Sequence, residues 1–148
     1  MADCEGADAV HRTTVHEADG ATPPPPRLLS CRLTEWASGR DLGERAAVAA
    51  LLQEGDVLAR GDVRDLLVVD TGKRAYCDWP RFEGQYRTVL ALDASERAFL
   101  DLVVAVGFPR LVPLRQVENL GERRLAIILR ALAALAGCDT IAVGTRAW

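Results

Sequence analysis

The residues of this chain best suited to chemistry or recognition lie in one short segment, Tyr76-Cys77-Asp78-Trp79-Pro80-Arg81-Phe82, which gathers three aromatics, a thiol and an Arg/Asp pair. Two chemistries fit it. Arg74 and Arg81 flank Cys77, and nearby cations stabilise a thiolate and make it nucleophilic. Alternatively Tyr76, Trp79, Arg81 and Phe82 form an anchor patch for a protein partner, since Trp, Tyr and Arg carry much interface energy. A third reading makes Tyr76 and Trp79 ordinary core members of a strand and its exit loop. Binding is preferred to catalysis because a general base is missing. His11 and His16 are the only histidines, and both precede the proline run Pro23–Pro26. The remainder of the chain has no imidazole, which removes Ser-His-Asp and Cys-His catalysis and most transition-metal sites.

Leu66-Leu67-Val68-Val69-Asp70-Thr71-Gly72 resembles the hydrophobic-hydrophobic-Asp-Thr-Gly signature of aspartic proteases. The resemblance implies Asp70 at a strand end, sharing one proton with the aspartate of a second copy or lobe. Lys73 stands where that family carries a small residue, and the stretch due to hold a glycine-rich flap reads as helix. Asp70 is therefore preferred as a turn aspartate. Gly72-Lys73 lacks both the upstream glycine and the following Ser/Thr of a phosphate-binding loop, and no G-x-G-x-x-G follows a strand. No cofactor is expected. Cys4, Cys31, Cys77 and Cys138 form no C-x-x-C pair, so no metal site is expected either.

Positioning these residues requires elements, and the pattern predicts an α+β fold: one domain with a mainly antiparallel sheet and a C-terminal helical layer. Alternation of Leu29, Cys31 and Leu33 with polar residues predicts a strand. Leu42 to Glu54 has helical spacing and ends at Gly55. Val57 to Arg60, Asp65 to Asp70, Arg74 to Trp79 and Tyr86 to Leu92 are expected as strands, the middle pair forming a hairpin around Thr71-Gly72. Asp93 with Glu96 predicts a capped helix to Gly107. Pro113 opens a short helix to Asn119, Glu122 to Ala136 is a long apolar helix capped by Gly137, and Asp139 to Val143 is a closing strand.

The last third, through Asp93-Ala94-Ser95-Glu96-Arg97-Ala98-Phe99-Leu100 and Glu122-Arg123-Arg124 to Ala131-Leu132, resembles in layout a winged helix or the DNA-reading domain of sigma factors. That likeness implies nucleic-acid contacts from residues 93–148, with Arg115, Arg123 and Arg124 as candidates and Arg110 beside them. A recognition helix needs an exposed polar face, however, and Glu122 to Ala136 is mostly apolar. It reads instead as a core or interface helix.

The 148 residues suit one domain with a proper core, and 49% apolar with 26% charged residues is a globular balance. Net charge is −3, yet residues 1–26 alone carry Asp3, Glu5, Asp8, Glu17 and Asp19 against Arg12. The rest is near neutral and offers no long-range field to gather nucleic acid or anionic lipid. Lys73 is the only lysine among many arginines. Residues 1–26 are expected to be a disordered acidic, proline-rich tail, and residues 27–148 the folded α+β domain. With no signal peptide and no apolar run of membrane-spanning length, the expected setting is the reducing cytoplasm. The expected function is non-enzymatic: a regulatory or interaction domain acting through a protein partner or its own homodimer. A DNA-binding module is the alternative, and a small enzyme using Cys77 or Asp70 the second.

Overall fold

The computed structural model describes residues 25–138 and 140–144. His11, His16, Cys4 and most of the acidic tail lie outside them, as does Asp139. The described chain is mainly helical, with a single two-stranded antiparallel sheet, which overturns the expectation of a sheet-based α+β fold. Its order is α1 (Pro26–Ser38), α2 (Leu42–Glu54), α3 (Asp56–Ala59), α4 (Gly61–Leu67), β1 (Val68–Asp70), β2 (Ala75–Cys77), α5 (Trp79–Val89), α6 (Ala94–Gly107) and α7 (Gly121–Leu135). A 3-10 turn, Leu114–Asn119, precedes α7.

Four of the expected strands are helices or irregular chain. Residues 29–34 belong to α1, which opens with Pro26 in its first turn, where a missing N–H costs nothing. Leu29, Leu33 and Ala37 are buried at steps of four, a spacing that satisfies a period of two as well as a helical stripe. Exposed Glu35 breaks the alternation and distinguishes the two. Val57 to Ala59 falls in α3, and Asp65 to Leu67 ends α4, leaving only Val68–Asp70 extended. Tyr86 to Val89 closes α5. Asp78 caps that helix by accepting from the Arg81 N–H at 3.2 Å, and Pro80 sits in its first turn, so Trp79, Phe82 and Tyr86 fall on one helical face. The closing strand is absent: residues 140–144 carry no strand.

At the helix ends expected at Gly55, at Asp93 with Glu96 and at Gly137, expectation and structure agree. The Asp41 carboxylate accepts from the Glu44 N–H at 2.9 Å to open α2, and Gly55 at φ 78° closes it. Asp93 and Glu96 form a complete capping box on α6. Helix α7 ends in a Schellman arrangement, the Gly137 N–H donating to Ala134 O and the Cys138 N–H to Ala133 O. The hairpin pairs Val68 with Cys77 and Asp70 with Ala75, and turns through Gly72 at φ 81°.

Helix α2 is the centre of the molecule, packing against α1, α6 and α7. Its small residues permit this. Ala46, Ala47 and Ala50 are buried, and a Cβ on Gly43 would stand 2.8 Å from Val106 O at the end of α6. Beyond this layer, α1 packs on β2 and α4 on α5. Phe82 and Tyr86 stack at 4.9 Å, and Trp79 meets Phe108 edge-on at 5.6 Å.

Candidate functional site

The fold divides the Tyr76–Phe82 segment between inside and outside. Trp79 is 3% exposed and Phe82 fully buried, both members of the core, whereas Tyr76 faces outward from β2. Arg81 turns its guanidinium onto the carbonyls of Leu66 and Asp65, where α4 ends and lacks backbone donors. Of the four residues, Tyr76 alone offers an aromatic surface. Cys77 is buried, and burial, with the Glu44 carboxylate adding to it, pushes its thiol up to about 12. A thiol held this way is protonated at neutral pH and a poor nucleophile.

Asp70 serves the hairpin. Its carboxylate accepts from the Gly72 N–H at 2.8 Å, forming the turn, and receives both terminal nitrogens of Arg32 at 2.7 and 3.0 Å. Arg32 also donates to Gly72 O, so α1 grips the turn by a bidentate fork. Sequence reading missed Arg32 and Trp36 because it placed the start of α1 in a strand.

The three candidate nucleic-acid arginines have different employment. Arg124 donates to Glu54 Oε1 through Nε at 3.1 Å and Nη2 at 2.9 Å, and to Ser95 Oγ at 2.7 Å. Arg123 pairs with Asp56 at 3.1 Å and donates to Glu54 O at the end of α2. Arg115 points outward and pairs with Glu118 at 3.1 Å. Two of the three therefore clamp α7 to the α2–α3 corner. Glu54, 1% exposed, takes the Val57 N–H at 2.7 Å as well, so this buried carboxylate is fully satisfied.

A second buried carboxylate, Asp101, joins α5, α6 and the 3-10 turn. It accepts from Tyr86 OH, from Arg87 Nη2 at 2.9 Å and from Gln116 Nε2 at 2.9 Å. Burial, then the hydrogen bond to Asp101, raises the Tyr86 phenol to about 12, against the opposing pull of Arg87. Each member has its partner, and the cluster is a structural tie. Among the described residues no group of three or more His, Cys, Asp or Glu side chains could hold a metal ion.

The outer face of α7 is one of the apolar surfaces left uncovered. Ala126, Ile127, Ile128 and Ala131 are buried against the body. Leu129, Leu132 and Leu135 are 43%, 46% and 39% exposed. Leu125, Leu129, Leu132 and Ala136 follow one another at steps of four, three and four, the spacing of a helix–helix seam. The nearest cation, Arg130, donates to Val143 O at 3.0 Å and Gln53 Oε1 at 3.4 Å, away from that seam. Leu111 and Leu114, in the connection before α7, are exposed as well. No described helix is long and apolar enough to cross a membrane. Comparison with protein-family models, curated proteins and solved structures gives no match.

Proposed function

We propose that this chain works by association rather than by turnover, and that the surface it uses is the leucine seam of α7, paired with the α7 of a second copy. The observation that carries the reading is the exposed pair Leu129 and Leu132, in line with the partly buried Leu125, on a helix whose Ala126, Ile127, Ile128 and Ala131 are buried against the body. A seam at this spacing is self-complementary. A two-fold axis perpendicular to the helices runs the pair antiparallel, which sets each positive helix end beside a negative one. The geometry also bounds the strength. A 15-residue helix is about 22 Å long, and one face of that length buries less than the roughly 800 Å² per partner of a standard interface. The association is thus weak and concentration-dependent.

Supporting the non-enzymatic part are the protonated thiol of Cys77, the carboxylate of Asp70 held by its turn and by Arg32, and the lack of histidine after residue 16. Sedimentation velocity across roughly 1 to 500 µM, where weak dimers dissociate and re-form, tests the reading. The expected result is a monomer that moves toward dimer, and a Leu129→Glu/Leu132→Glu double variant that stays monomeric with its helix content intact. A wild-type chain that remains monomeric throughout, or a double variant that associates equally well, overturns it.

A further inference from the structure

We propose that the cleft between α1 and the hairpin is a binding site for acidic peptide, and that its occupant is this chain's own segment 1–24. The cleft encloses about 560 Å³ and is lined by Arg32, Glu35 and Trp36 from α1 and by Lys73, Arg74 and Tyr76 from the hairpin. Its aromatic wall is built: Trp36 and Tyr76 lie 6.4 Å apart with rings tilted by 44°, and the Arg40 guanidinium sits 5.3 Å from the Trp36 ring centre. The charge is asymmetric. Arg32 is fixed by Asp70, while Lys73 and Arg74 meet no carboxylate within ion-pair distance among the described residues. Glu35 is the one carboxylate lining the cleft.

The complementary charge lies next to it in the chain. Asp3, Glu5, Asp8, Glu17 and Asp19 stand against Arg12, and this stretch leads directly into Pro25, the N-cap of α1. Trp36 is ten residues along α1 from Pro26, about 15 Å at 1.5 Å per residue. Asp19 and Glu17 stand six and eight residues before Pro25, and at about 3.3 Å per residue such lengths of extended chain reach about 20 and 26 Å, more than the roughly 15 Å to Trp36 if the segment runs back along α1. Tethering raises the local concentration of the acidic residues to roughly the millimolar range, so contact of millimolar strength suffices, supplied by ion pairs to Lys73 and Arg74 together with packing on the Trp36–Tyr76 wall. Such a contact weakens with salt.

The test uses the full chain. Arg12 is the only basic residue among the first 26, so trypsin cleaves this segment only after Arg12. At low salt the wild type is expected to lose that bond roughly fivefold more slowly than a Lys73→Glu/Arg74→Glu variant, the scale of a few screened pairs, and to match it in 0.5 M NaCl. A second variant, Glu17→Gln/Asp19→Asn, changes nothing in the described fold. Its backbone amide NMR signals are expected to differ from wild type at residues 73–76, and its Trp36 indole signal likewise. Superimposable spectra at those positions in low salt, or equal cleavage rates, overturn the proposal. Differences that grow with protein concentration also overturn it, because they place a second copy's segment in the cleft. Neither readout involves α7, so failure of the leucine pairing leaves this test unaffected.

Discussion

Glu54 is a carboxylate the solvent does not reach, and its cost is met by Arg124, by the Val57 N–H and by Arg123 nearby. Removing one partner strands a buried charge, which costs about 3–5 kcal/mol, whereas replacing both by apolar groups of similar volume is close to neutral. Arg124→Ala is therefore expected to lower stability by about 3 kcal/mol in urea unfolding, and Glu54→Leu/Arg124→Met by far less. If the double variant is no more stable than the single, the clamp is not acting through charge. Cys77 yields a pH prediction. Its folded-state value of about 12 lies above the ordinary 9.0, so the unfolded chain gives up the thiol proton first. Stability is then complete below pH 9 and falls as pH rises from about 9 toward 12, with Tyr86 adding in the same direction from about 10. Cys77→Ala is expected to flatten this alkaline decline, measured as melting temperature against pH. At pH 8, a thiol reagent should modify exposed Cys138 in the native protein and leave Cys77 untouched.

Among the elements, the crossing of α2 and α6 has the least tolerance. A methyl group at Gly43 would approach Val106 O to 2.8 Å and Gly107 O to 3.2 Å, both backbone atoms that cannot rotate away. Gly43→Ala is expected to destabilise by about 1–3 kcal/mol despite its gain in helix propensity, while Gly84→Ala, with open space around it, should be stabilising or neutral. The elements legible in the sequence were those with explicit end signals. Gly55 closed α2, Asp93 and Glu96 opened α6, and Gly137 closed α7. Those misread were short or ambiguous in period. Steps of four in α1 look like alternation until Glu35, and helices as short as α3 and α4 carry too few residues to establish a 3.6 repeat. In α5, Tyr86 to Leu92 was expected as a strand, whereas Pro80 in the first turn opens a helix that runs to Val89.

For the whole molecule, the leucine seam was legible as an excess of apolar residues on the last helix, but not which of them would be spared. That depended on how α2 and α6 divide its circumference. Ile127, Ile128 and Ala131 go inward, and Leu129 and Leu132 stay out. The aromatic and basic cleft was not legible at all, since its two walls are forty residues apart and one was assigned to the wrong element. Because Leu129 and Leu132 stand outside the monomer's core, Leu129→Glu/Leu132→Glu should leave the melting point of a dilute sample within a degree or two while removing any concentration dependence of it. The clamp between Arg124 and Glu54 joins residues seventy positions apart. During synthesis, α2 therefore leaves the ribosome long before its cover exists. Its alanine-lined flank must wait, uncovered, until α7 is made, and apolar surface exposed in that interval favours aggregation.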